Sequence, residues 1–274
     1  MSDPRAALVA IGALPDAEID IAEAALQLAR VDAPEADWLE CRAHLSRLAR
    51  EAAAMAPGVA AGDAPAQAAV LAELLVAQHS YVGDAVTYDD LANANLIRVI
   101  ERRRGLPVAL GVLWLHAAHA AGWAAHGIDF PGHFLLALAD ATPPVVIDPF
   151  AGGRVLDVPD LHALLRRVEG PGAAWRPALL APMGARAVLL RLQNNIRSRR
   201  ERAGDAEGAL TCLHDMLRIA PRETALWWEA ARLAAQGGAV TAALAALSEV
   251  AALAPAEEAA AARAAMEALR SRLN

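Results

Sequence analysis

The sequence predicts an α+β domain with an N-terminal helical cap, followed by a small α-helical repeat domain. Two short β-rich runs, HFLLALAD and VVIDPF, flank an ATPP turn and directly follow a long apolar segment. Residues 16 to 78 carry apolar positions at helical spacing. GDAEGALTCLHDMLRIAP, from Gly204 to Pro221, is echoed by GAVTAALAALSEVAALAP, from Gly238 to Pro255, an offset of 34 residues typical of helical repeat arrays. The expected division is a first domain over 1–182, with a helical part at 1–80 and a core at 88–168, and a repeat domain over 183–274.

The elements follow in order. Asp16 to Gln78 reads as three amphipathic helices, broken at Ala33–Pro34 and again between Pro57 and Pro65. In the second, Trp38, Cys41, Leu45 and Leu48 share one face, which makes Cys41 a core residue. The aromatic and acidic segment YVGDAVTYDD comes next, then a short helix from Leu96 to Arg103. Gly105, Leu106 and Pro107 break the chain, and an apolar helix runs from Val108 to Ala121, with Gly122 placed as its C-cap. After the hairpin, Phe150 to Pro159 reads as a loop and Leu161 to Val168 as a short helix. Glu169 to Pro182, with Pro171, Pro177, Pro182, Gly170 and Gly172, reads as the connection between domains. A final capping helix is expected from about Glu257 onward.

At 274 residues the chain can hold one large or two modest domains, and 56% hydrophobic with 21% charged residues is a globular composition. Every basic residue is Arg. A net charge of −7 argues against a large nucleic-acid or anionic-membrane surface. No apolar run reaches the roughly 18 residues of a membrane span, and no basic-then-apolar leader opens the chain. Two cysteines, Cys41 and Cys212, are too few for a disulfide framework. The expectation is a cytoplasmic protein without nucleic-acid or membrane partners.

The hairpin positions chemistry. If its turn centres between Asp140 and Ala141, Asp148 faces His133; centring on ATPP itself opposes His133 to Gly152 and still leaves Asp148 on the same face. A carboxylate on a neighbouring strand can accept the imidazole N–H and fix its tautomer, which is the second half of a nucleophile, His, acid triad. A thiol at the start of the preceding helix would have its pKa lowered by the exposed N–H groups and the helix dipole. No thiol stands there.

The strings VIERRRGLPVALGVLW, PGHFLLAL and IDPFAGGRVLD, occurring in that order, resemble the transglutaminase-like (papain-like) fold, and more closely the SirB family, which joins such a domain to tetratricopeptide repeats. The resemblance implies a Cys, His, Asp plan in a bacterial protein whose family name is linked to transcriptional regulation. His133 and Asp148 fall on the His and Asp positions. The nucleophile position falls on Pro107, and the Ser that the SirB pattern offers two residues later is Ala109. The resemblance also places the repeat consensus on Ala209, Leu213, Met216 and Pro221, then on Ala243, Leu247, Val250 and Pro255, with Trp227 at an aromatic core position.

Other residues have two readings each. Glu101, Arg102 and Arg103, beside Gly105, either pair internally or line the cleft. His116, His119 and His126 have metal-compatible spacing, but no carboxylate or thiol completes the set, so they read as scattered histidines and no metal or cofactor is expected. Trp227 and Trp228 point to different sides of a helix, leaving Trp228 to face a groove, where Arg197, Arg199, Arg200 and Arg202 form a basic patch for a partner. Two function classes result. One is a non-catalytic regulatory or scaffolding protein that binds a protein or peptide through cleft and repeats. The other is a hydrolase or acyl-transferase in which His133 and Asp148 activate a water or the substrate directly.

Overall fold

A computed structural model describes residues 3–60 and 62–271, divided into two compact units. One is Leu14–Leu192; the other joins the two ends of the chain, Met1–Ala13 and Gln193–Asn274. The expected boundary at 182/183 shifts to Leu192/Gln193 because a short strand, Pro182–Met183, pairs with the main sheet and holds that segment in the first unit. The helix α1 (Pro4–Gly12), capped by the Asp3 carboxylate, belongs to the second unit.

The helical part of the first unit is α2 (Ile21–Asp32), α3 (Trp38–Met55) and α4 (Ala64–Ala72), each started by an aspartate, Asp20, Asp37 or Asp63, whose side chain accepts backbone N–H bonds. The face read from the sequence is buried at Cys41, Leu45 and Leu48, and His44 joins it. Then come β1 (Val82–Gly83), α5 (Leu96–Arg102), β2 (Arg104–Gly105) and α6 (Pro107–Ala120), with β1 and β2 pairing in parallel. Pro107 opens α6 at a position where its missing N–H is no loss. Gly122, at φ +77°, follows its C-terminus.

A five-stranded sheet follows, of β3 (Ala125–Phe130), β4 (His133–Leu138), β5 (Val145–Asp148), β6 (Arg154–Leu156) and β7 (Pro182–Met183), in the order β6-β5-β4-β3-β7. All its pairings are antiparallel. Its two faces have separate partners. Ile128, Leu135, Ala137 and Val146 pack with Leu161 and Leu165 of α7 (Val158–Glu169). Phe134 turns the other way and lies so close to Gly111 of α6 that a Cβ there would meet its ring at 2.2 Å. Burying both faces leaves the near-continuous apolar run HFLLAL rather than alternation.

The second unit contains α1, the later part of α8 (Ala185–Arg202), α9 (Ala206–Ile219), α10 (Thr224–Gln236), α11 (Val240–Leu253) and α12 (Ala256–Ser271). Consecutive helices from α9 to α12 pack on one another, and α1 packs on α9. Ala209, Leu213 and Met216 are buried, and so are Ala243, Leu247 and Val250, 34 residues on.

Candidate functional site

His133 opens β4 and Asp148 closes β5. The ladder pairs Leu136 with Ile147 and Leu138 with Val145, so by extension His133 opposes Phe150 and Leu135 opposes Asp148. The expected direct opposition of His133 and Asp148 is therefore corrected by two residues, because the connection is longer than a turn centred at Asp140–Ala141 allows. The shift is even, so both side chains stay on one face and meet diagonally: His133 Nε2 is 2.9 Å from Asp148 Oδ1. Their side chains are 15% and 13% exposed.

The contact has ion-pair length without hydrogen-bond alignment, since His133 Nε2 is buried and has no aligned partner. Asp148 Oδ1 is already oriented by two backbone donors, Phe150 N at 2.9 Å and Ala151 N at 3.2 Å. The carboxylate thus faces the imidazole from a position set by its own turn. Arg191 steadies the other strand, donating from Nη2 to the His133 carbonyl (2.7 Å) and pairing with Asp129 on β3.

Phe150 links this pair to the start of α6. Its ring stands edge-on to His133, with centroids 6.2 Å apart, and edge-on to Tyr88 at 5.9 Å. It also covers Gly83 closely enough that a Cβ there would meet the ring at 2.6 Å. Gly83 pairs with Gly105, two residues before Pro107. Pro107 and Ala109 are both buried, and neither carries a heteroatom on its side chain. The thiols lie elsewhere. Cys41 is buried in α3, where burial first and then Glu101, Glu40 and Asp37 push its pKa up to about 11. Cys212 is buried in the second unit against Gln193.

The charged string before α6 is paired internally. Arg102 Nη2 donates to Asp84 Oδ2 (3.1 Å), and Arg102 also meets Asp90 and Asn93. Asp84 is buried and accepts from the Thr87 hydroxyl and the Thr87 and Val86 amides, which bring its pKa down to about 2, the Thr87 bonds first. Glu101 pairs with Arg98. Arg103, at φ +57°, reaches back to Tyr81 and His44. Asn93 accepts the Leu106 N–H on its carbonyl at 2.8 Å, fixing the residue before Pro107. Asp84, Tyr88, Asn93, Phe150 and Arg191 were not singled out from the sequence; for Asp84 and Tyr88 the signal was the YVGDAVTYDD segment, and for the other three there was none.

The remaining candidates separate. His116 and His119 each direct Nε2 at a carbonyl, of Leu45 and Ala125, which assigns the proton to that nitrogen and ties α6 to α3 and β3. Among the described residues no group of three or more His, Cys, Asp and Glu is placed to hold a metal ion, and no helix is long and apolar enough to cross a membrane. The basic patch is corrected. Arg197, 14% exposed, pairs with Glu201 and Glu229; Arg199 is buried and donates to Asn195; Arg200 donates to the Gly208 carbonyl; Arg202 donates to the Ser198 carbonyl. Both tryptophans are half-buried: Trp228 donates to Glu258 of α12 (2.9 Å), and Trp227 lines an open cleft.

The chain belongs to the transglutaminase-like superfamily, whose family model matches residues 39–194, more than half of its length. Its relatives include bacterial UPF0162 proteins. It is 32% identical to one from Xylella fastidiosa (strain 9a5c) over 162 residues, 58% of each chain, and 30% identical to one from Vibrio cholerae over 204 residues, 74% of each. A third, from Pseudomonas aeruginosa, is 33% identical over 129 residues, 47% of each. The chain thus spans somewhat over half the length of the first of the curated relatives that it matches. No solved structure gives a significant match.

Proposed function

We propose that this is a non-catalytic member of its superfamily, a cytoplasmic regulatory or scaffolding protein of the SirB type that binds a protein or peptide partner. The observation that carries the reading is the start of α6. The position where a triad needs a thiol is Pro107, buried, and Ala109 two residues along is buried too. An imidazole and a carboxylate without a nucleophile can hold a shape or a ligand but cannot form an acyl-enzyme. The second unit supports a tetratricopeptide-like assignment through its buried positions spaced by 34 residues. Curved stacks of such helices present surfaces for extended or helical segments.

A second reading has one observation in its favour, the 2.9 Å approach of His133 to Asp148. In it the pair activates a water or a substrate nucleophile directly. Turnover separates the two. Peptide, ester and amine-acceptor substrates incubated with the full chain should give no product above buffer, with His133→Ala indistinguishable from the parent. Product formation abolished by His133→Ala and Asp148→Asn contradicts the non-catalytic reading and establishes the second.

A further inference from the structure

The N-terminal helix is the least self-sufficient element of its unit. α1 has 9 residues, fewer than the ~12–15 at which an isolated helix becomes marginal in water. It takes its shape on α9. Arg5 Nε donates to Asp215 Oδ1 at 3.0 Å and Nη2 to Oδ2 at 3.4 Å. Leu8 is fully buried and is the one buried residue of α1. At Gly12 a Cβ would stand 2.0 Å from the Arg218 carbonyl oxygen, so no other residue fits without moving the helix. Positions 5, 8 and 12 make one stripe with the exposed Val9 at its edge, and Ala6 and Ala10 on the far side are exposed.

Asp215 makes this seat selective. Its side chain is 5% exposed, and besides Arg5 it receives Arg218 Nη1 at 2.7 Å. Arg218 reaches only Oδ1, so Oδ2 of this buried carboxylate takes its charged donor from the occupant of the seat, here Arg5. The groove also extends past its occupant. Beside α1 lies a cleft of about 510 Å3 lined by Val9, Leu217, Pro221 and Trp227, among others, which α1 borders but does not fill.

We infer that the seat on α9 is a helix-binding groove occupied in cis by α1, and that its external ligand is a protein helix presenting Arg, Leu and Gly at the same i, i+3 and i+7 positions, with a further apolar side chain for the cleft. Such a helix supplies the cation that Asp215 requires. It also buries apolar surface that α1 leaves open, and so displaces α1. The inference rests on the reading of the helical unit as a binding module. Its test measures peptide exchange and is blind to catalysis, so either can fail alone.

A fluorescent peptide of residues 3–13 is titrated against the full chain and against Leu8→Asp, whose own α1 cannot seat. The folded variant should bind the peptide at least tenfold more tightly than the parent. Binding should be lost again when the peptide carries Arg5→Glu or the protein also carries Asp215→Asn. If Leu8→Asp does not fold, Arg5→Glu in the protein, at a side chain 42% exposed, takes its place. A folded variant that takes up no peptide, or equal uptake by variant and parent, overturns the inference. Unfolding of both variants overturns it as well, because α1 is then part of the core rather than a ligand of it.

Discussion

Two imidazoles of the first unit sit among opposite charges. His133 meets the Asp148 carboxylate at 2.9 Å and has Phe150 against its ring. His44, 2% exposed, lies between guanidiniums: Arg47 Nη2 is 2.7 Å from Nδ1, and Arg103 Nη1 is 2.6 Å from both Nε2 and the Tyr81 hydroxyl. Burial first, then Arg103, Arg47 and His79, brings the His44 pKa down to about 3. A neutral imidazole has one lone pair; if Nδ1 offers it to Arg47, Nε2–H is left for the Tyr81 oxygen, 2.8 Å away. The sign of the surrounding charge therefore distinguishes the two histidines. One faces a carboxylate. The other is a neutral strut, whose neighbour Arg103 also accepts the Val82 N–H on its carbonyl and so holds β1 beside β2, at the start of α6.

The comparison breaks most visibly by truncation. His44→Ala leaves a cavity and removes a partner from Tyr81 and from Arg47, with an expected loss of about 2–4 kcal/mol in denaturant unfolding. His133→Ala, at a site whose contact lacks hydrogen-bond alignment, should lose about 1 kcal/mol or less. Equal losses would erase the distinction.

Acid sharpens it. The folded His44 pKa lies below the ordinary 6.5, so its contribution is intact above pH 6.5 and is lost as pH falls toward 3. The slope is about 1.4 kcal/mol per pH unit from that one group. His126 and His214, also lowered by burial, act in the same direction, while Asp84 matters only below its ordinary 3.8. A folded His44→Gln protein should show a slope between pH 6.5 and 4.5 smaller by about that amount, as read from urea midpoints at fixed m. An unchanged slope would mean that His44 is not the strut described.

A further substitution tests the frame that carries His133 and Asp148. Gly153, at φ +80°, donates to the Asp148 carbonyl at 2.8 Å, and a Cβ on it would stand 2.1 Å from the Trp114 ring of α6. Gly153→Ala should lower stability by about 1–3 kcal/mol through overpacking and backbone strain. A neutral result would show that the strand end moves freely against α6.

Much of this organisation is legible in the sequence where a local signal is strong. Gly122, Pro107 and the apolar run between them delimit α6 to within a residue or two, and parity alone keeps His133 and Asp148 on one face. Other features had no local signal. The strand β3 contains Gly127, normally a strand breaker, which is present because the Phe134 ring lies 2.8 Å from where its Cβ would be. The contact order of the charged residues was equally hidden: Arg102 finds Asp84 eighteen residues back, and Arg197 finds Glu229 on another helix. Arg197 reads as part of a patch until the folded chain supplies Glu229 from outside the window.

Pro107 and Ala109 leave the start of α6 without a nucleophile, and labelling of the native thiols puts that reading at risk. Full-chain protein at pH 7 is treated with iodoacetamide, and its intact mass is followed with and without denaturant. With a pKa of about 11, Cys41 holds only roughly one part in 10⁴ as thiolate at this pH, and Cys212 is buried. The expected result is an unlabelled native protein and two adducts after unfolding. Rapid stoichiometric labelling of the native chain at Cys41, abolished by His133→Ala, would place a working thiol beside the imidazole and contradict the account.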